Sequence, residues 1–207
     1  MRMDGSVDLA YPFRGRWLVQ NSPANRVPSH GTDAFATAYA IDFVPVDERG
    51  RSARITAASL FRPDPAERFP GFGREILAPI GGRIVAASDT HTDHAAYRGF
   101  PSIGYALSQR QRIQAGWPAL AGNHIFVESS TGIIVALCHL QQGSITTQIG
   151  ARMRTGDPIA RCGNSGNSTE PHLHIQAIDT ADIKQARAIP ITFNNTLPRN
   201  GDIVTAP

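Results

Sequence analysis

The apolar residues of this chain come in short runs, and proline or glycine closes nearly every one of them. With 15 prolines and 19 glycines in 207 residues, the composition leans towards an all-β build with long loops, because proline breaks a helix interior and glycine weakens it. The runs themselves, such as GRWLVQ (15–20), YAIDFVPV (39–46) and IIVALCHL (133–140), are rich in β-branched and aromatic residues and have the length of strands. The expected fold class is therefore mainly β: antiparallel sheets, β-sandwich-like, with long loops and one or two short helices.

Further elements follow from the turn residues. NHIFVESS (123–130) and IIVALCHL flank a Thr131-Gly132 turn and read as a hairpin. REILAPIGGRIVAASD (74–89) reads the same way, with Pro79 to Gly82 as its turn, and HLHIQAID (172–179) is the last clear strand. Two excursions interrupt the pattern. FRPDPAERFPGFG (61–73) is too rich in proline and glycine for regular structure. In the stretch 91–122, GYALSQRQRIQAGW (104–117) has room for one short helix. The length suits a single domain, 1–207, with its core over 17–178 and an irregular tail over 179–207.

Charge and cysteine usage exclude several partners. The formal net charge is only +3, and the arginines are scattered without interleaved aromatics, so no nucleic-acid surface is expected. No stretch is long and apolar enough for a membrane-spanning helix. The segment MRMDGSVDLAYPFRGRW lacks the apolar run of a secretory signal, which by itself reads as cytoplasmic. Cys138 and Cys162 are too few for a disulfide framework and read as buried thiols.

The chemistry concentrates at GNSGNSTEPHLHIQ (163–176), where a turn-rich loop leads into a strand carrying two histidines one residue apart. Strand residues two apart share a face, so His172 and His174 point together while Leu173 turns to the core. Asp42 lies inside an apolar strand, where an unpaired carboxylate costs several kcal/mol. A bound cation relieves that cost, and zinc takes such a set of histidines and a carboxylate. His139 ends another apolar strand. As strand neighbours, Cys138 and His139 are expected to face opposite ways, which keeps Cys138 from sharing a metal with His139.

The blocks SHGT, YAIDFVPV, ILAPIGGRIV, GNHIFV, LCHLQQGSI and GNSGNSTEPHLHIQ run from His30 to Gln176. In that order they resemble the landmarks of the lysostaphin/LytM-type zinc metallopeptidases, metallopeptidase family 23, whose fold is the duplicated hybrid motif. The resemblance implies Zn2+ held by His30, Asp42 and His174. It implies catalytic roles for His172, as general base toward the metal-activated water, and for His139, which assists that base or stabilises the tetrahedral intermediate. It also implies peptidoglycan peptides as substrate and a place in the cell envelope or outside the cell. Two departures stand out. His30 and Asp42 are farther apart than the family's first histidine and aspartate, and Asp33 lies nearer. Asp42 is preferred for its strand context. Ala160 stands where the family commonly has glycine, a packing detail.

His91 and His94, in a polar loop, read as solvated, and His124, at a strand start, as structural. Trp117 reads equally as a wall of a substrate groove or as packing for its loop. The reading favoured is a zinc endopeptidase cutting peptide cross-links or stem peptides of bacterial peptidoglycan. Its main competitor is a non-catalytic, zinc-binding or wall-binding regulator of the same fold, which would be expected to have lost site residues. A histidine phosphocarrier is disfavoured because Asp42 repels phosphate. The zinc D-Ala-D-Ala peptidases echo only the SH…AID pattern.

Overall fold

The computed structural model describes residues 5–54, 56–102, 114 and 116–207. Its strands are β1 (Val7–Leu9), β2 (Gly15–Gln20), β3 (Ile41–Pro45), β4 (Glu75–Leu77), β5 (Gly82–Ser88), β6 (Asn123–Ser129), β7 (Ile134–Leu140), β8 (Arg152–Met153), β9 (Pro158–Arg161), β10 (Leu173–Ile178), β11 (Ala188–Ile189), β12 (Ile191–Phe193) and β13 (Ile203–Ala206). The complete helices among the described residues are a short α-helix, Trp117–Ala121, and three single 3-10 turns, and residues 100–102 are helical as well. The chain is mainly β, as its composition requires. The helix expected in GYALSQRQRIQAGW falls mostly on residues 103–113 and 115, outside the described residues.

One antiparallel sheet in the order β13-β2-β3-β10-β7-β6-β5-β8, with β11 added to β10, organises the fold. Strict alternation along β10 gives it two different faces. Leu173, Ile175 and Ala177 join Ile41, Phe43, Val135 and Leu137 in the main core, which the small sheets β1–β12 and β4–β9 cover with Leu9, Ile191, Phe193, Ile76 and Ile159. On the other face, Ile178 meets Ile134, Ala136 and Cys138 in a second cluster, closed by Ala36 and by Trp117 and Ala121 of the helix. His174 and Gln176 lie on this second face, beside Asp42, which is in register with His174 on the neighbouring strand.

Two expectations need correction. The stretch 74–89 is not a hairpin: β4 pairs with β9, while β5 pairs with β6 and β8. The backbone between β4 and β5 is engaged elsewhere, since Ala78 N donates to Asp157 O, and its carbonyl and that of Pro79 accept from Gly156 N and Ala10 N. The tail 179–207 is not irregular. It supplies β11, β12 and β13, and β13 closes the edge of β2. These strands are too short and too interrupted by Pro190 and Pro198 to show a period; β11 and β13 extend the main sheet, and β12 pairs with β1 from the other end of the chain.

Phe193 of β12 is fully buried, stacked on Tyr11 at 5.1 Å and edge-on to Phe43 at 5.2 Å between ring centroids. Phe193→Ala is expected to cost about 3–5 kcal/mol in urea unfolding, the range for a buried phenylalanine. A loss below about 1 kcal/mol would mean that the C-terminal strands are peripheral.

Candidate metal centre

Asp42 anchors the site. It is 5% exposed, and both of its carboxylate oxygens are engaged. Oδ1 lies 2.9 Å from His174 Nδ1, and Oδ2 lies 3.0 Å from His30 Nε2. Asn21, at the end of β2, donates from Nδ2 to Oδ2 at 2.7 Å. His174 reaches Asp42 through strand register, as β3 and β10 place the two residues directly opposite. His30 comes from a loop that is tied down by Ser29 N donating to Ala38 O and Gly31 N donating to Pro28 O.

The donor set fits a metal. The Ser29 hydroxyl donates to Thr37 O at 3.2 Å and therefore accepts from His30 Nδ1 at 2.9 Å. That leaves the lone pair of neutral His30 on Nε2, facing a carboxylate oxygen, an arrangement that requires a proton or a cation between them. Among the described residues, His30, Asp42 and His174 are the group of histidine, cysteine and acidic side chains whose donor atoms converge, all within 4.8 Å of one another. Two imidazoles and a carboxylate are donors that zinc accepts. Without a cation, protons on the rings fill the gap. Burial then works to raise the Asp42 carboxyl, but the charge on His30, hydrogen bonds from His174 and His30, and the charge on His172 outweigh it and hold the group well below the usual carboxylate range. Asp33 is exposed and lies in the turn before Ala34, outside this group.

Two further histidines face the same cavity. His172 donates from Nδ1 to the Glu170 carbonyl at 2.8 Å, with the Ser168 hydroxyl at 3.0 Å, and its Nε2 points to Asp42 Oδ1 at 4.0 Å. His139 donates from Nδ1 to the Ser165 carbonyl at 2.9 Å, and its ring centroid is 4.6 Å from that of His172. Burial, reinforced by charge on His172 and His174, holds His139 well below the ordinary imidazole range, so it is neutral at pH 7.

The position of His139 depends on a β-bulge. Asn123 pairs with Leu140 and Ile125 with Leu137, so Cys138 and His139 together oppose the one residue between, His124. His139 takes a left-handed backbone there, φ +61°. The expectation that Cys138 and His139 face opposite ways is therefore corrected: both line the cleft, because the extra residue resets the alternation. Burial pushes the Cys138 thiol far up, leaving it protonated and a poor ligand, and both cysteines are free.

The cleft above the cluster encloses about 610 Å³. Phe35, Trp117, Leu120 and Ala121 form its apolar side, and Thr169 and Glu170 lie on its polar side. Trp117 thus serves both expected roles, wall of the cleft and packing of the second cluster. Glu170 is fixed by Arg98 of the excursion 91–122 at 2.9 Å and by Ser52 of the loop after β3 at 2.7 Å. His91 and His94 are not simply solvated. The backbone of His91 is held by the Asn123 amide at 2.8 and 2.7 Å, and His94 Nε2 donates to the Gly166 carbonyl at 2.9 Å, steadying the loop before His172. His124 is structural, donating from Nδ1 to Gly122 O. Asn21, Ser29, Ser168 and Gln176 also serve the site, beyond the residues read from the sequence. Only Gln176 carried a signal, being two residues from His174 and so on its face.

Residues 105–185 match the model of Peptidase family M23. Over these residues the chain is similar to that family. His139, His172 and His174 lie inside the matched residues, and the fold brings His30 and Asp42 to them from upstream. The chain is 26% identical over 117 residues to the peptidoglycan DD-endopeptidase ShyC of Vibrio cholerae, covering 56% of this chain and 22% of that protein. It is 29% identical over 116 residues to an uncharacterized metalloprotease of Buchnera aphidicola, covering 56% and 25%. It therefore spans about a quarter of the length of these curated relatives. Similar solved structures include the deep-sea M23 metalloprotease pseudoalterin (TM-score 0.49, 13% identity, 97% of this chain and 87% of that one). The catalytic domain of lysostaphin from Staphylococcus simulans aligns with a TM-score of 0.42 at 16% identity, over 87% of each chain.

Neutral burial of His139 sets a pH dependence. Its folded pKa lies below the unfolded value of about 6.5, so the unfolded chain binds the proton first and stability falls as pH drops through and below that value. With a chelator present, urea unfolding of His139→Asn, which keeps a donor for Ser165 O, is expected to show a shallower pH slope than the parent. The difference is at most about 1.4 kcal/mol per pH unit. Identical slopes would show that His139 is not held neutral.

Proposed function

We propose that this chain is a zinc-dependent endopeptidase unit that hydrolyses peptide bonds in bacterial peptidoglycan at the cell envelope. The observation that carries the reading is the convergence of His30 Nε2, Asp42 and His174 Nδ1 beside two histidines whose Nδ1 atoms are occupied by carbonyls. His30, Asp42 and His174 would hold the metal. When bound, zinc supplies a Lewis acid that polarises a peptide carbonyl and lowers the pKa of water.

The chain's own groups divide the remaining work. His172, with its Nδ1–H fixed on Glu170 O, presents the lone pair of Nε2 to the space beside Asp42, where it takes the proton of the attacking water and returns it to the leaving amine. His139, with its Nδ1–H on Ser165 O and its ring neutral, presents an acceptor rather than a donor. That suits orienting the water beside His172 better than donating to an oxyanion. The apolar side formed by Phe35 and Trp117 excludes solvent from one flank, and no lysine or arginine lines the cleft among the described residues, which suits an uncharged peptide segment. The peptidoglycan DD-endopeptidase among the relatives supports the choice of substrate.

His174→Ala and Asp42→Ala are expected to lose zinc and activity together, measured by elemental analysis, while Asp33→Ala keeps both. His172→Ala is expected to keep zinc and lose about 10²–10⁴-fold in rate, the usual cost of a positioned general base. Equal zinc loss in the two histidine variants would overturn the division of roles. Zinc-loaded protein is expected to release new amino groups from purified sacculi while leaving glycan strands intact, read by mass spectrometry of the digest. Zinc uptake without cleavage of any wall preparation would favour the non-catalytic module instead.

A further inference from the structure

Gln176 is fully buried on β10, two residues beyond His174 and on the same face. Its side-chain nitrogen lies 2.9 Å from the carbonyl of Phe35 and 3.4 Å from that of Ala36. Carbonyls only accept, so this end of the amide is the NH2, and the amide oxygen is fixed toward His174 Nε2 at 3.0 Å. The oxygen also only accepts. His174 therefore carries its hydrogen on Nε2 and, when neutral, keeps its lone pair on Nδ1, the atom 2.9 Å from Asp42.

The other end of the same amide holds an unusual turn. Phe35 and Ala36 are consecutive non-glycine residues in the left-handed region, with φ of +56° and +59°. Residues with a Cβ occupy that region when their surroundings hold them there. The turn carries Phe35 into the wall of the cleft, 6.0 Å from Trp117 between ring centroids. One side chain thus joins the ring that faces Asp42 to the wall that faces the substrate space.

We propose that Gln176 is a positioning residue that selects the coordinating tautomer of His174 and holds the Phe35 wall through the same amide, coupling metal affinity to the shape of the cleft. This rests on the zinc reading above. A metal on Nδ1 fixes the hydrogen on Nε2, which fixes the orientation of the amide and hence the donor that restrains the turn. By linkage, a substrate that packs on Phe35 favours the metal-loaded form.

Two variants separate the ends of the amide. Gln176→Leu keeps most of the volume and removes both bonds. Gln176→Glu keeps an acceptor for His174 and, as a carboxylate, loses the donor to Phe35 and Ala36. With zinc alone as the probe, in competition with a chromophoric chelator, Q176L is expected to bind about 10- to 100-fold more weakly than the parent, the usual effect of losing an outer partner of a metal histidine. Q176E is expected to stay within about threefold of the parent. Amide hydrogen exchange over residues 33–37 is expected to accelerate in both variants, in metal-free protein. A purely structural role would not give that split, because rescue by glutamate would then be absent from both readouts or present in both. Zinc binding by Q176L at parental strength, zinc loss by Q176E, or unchanged exchange in Q176E overturns the proposal. If Q176L fails to fold, Q176E decides it alone. Any of these outcomes with a zinc-binding parent leaves the zinc reading standing. A parent that takes up no zinc refutes that reading, and this inference with it.

Discussion

A carboxylate buried at the centre of a sheet is the constraint around which this protein is built. Asp42 is almost fully removed from water, and an ionised group there is tolerated only if positive charge and hydrogen-bond donors meet it. Every neighbour on its side of the sheet answers that demand. His174 comes to one oxygen through strand pairing, His30 to the other through a tethered loop, and Asn21 adds a neutral donor. The outer nitrogens of the two histidines are held in turn by Gln176 and Ser29. The charge problem is thus passed outward until it reaches backbone carbonyls.

The architecture assigns different tasks to its two layers. The face of β10 that carries Leu173, Ile175 and Ala177 is locked into a core shared with most of the sheet, giving His174 a rigid base. The opposite face is covered only in part, by the Ala34–Ala36 turn and the helix Trp117–Ala121, and the uncovered portion is the cleft. Rigid strands hold two of the proposed ligands and a tethered loop the third, while loops and the short helix supply the walls. The Arg98, Glu170 and Ser52 cluster shows how the loops contribute: it secures residue 170, whose carbonyl orients His172.

What could be read from the sequence was whatever a period of two carries. The pairing of His172 with His174 followed from alternation alone, and Asp42 stood out as a charge in an apolar strand. The hairpin of β6 and β7 was visible in its Thr-Gly turn. What was hidden depends on distant partners. β4 left its neighbour for β9, because residues 10 and 156–157 bind the backbone between β4 and β5. The C-terminal strands are two to four residues long, and each pairs with a strand distant in sequence or with the edge of the main sheet. Ser29 and Asn21 lie in loops, where no period announces a role. That Cys138 and His139 both line the cleft is not legible, because alternation fails at a bulge and nothing in LCHL marks one.

That bulge sets where the His139 ring stands by the count of residues rather than by residue type. Loss of Cys138 would restore regular pairing with β6 and seat the histidine where the thiol now lies, next to Leu137 and still on the cleft face, but without the left-handed backbone that brings its Nδ1 to Ser165 O. For this architecture, a single-codon deletion therefore moves one ring of the cluster without removing any histidine, and a roster of retained side chains would not reveal the change.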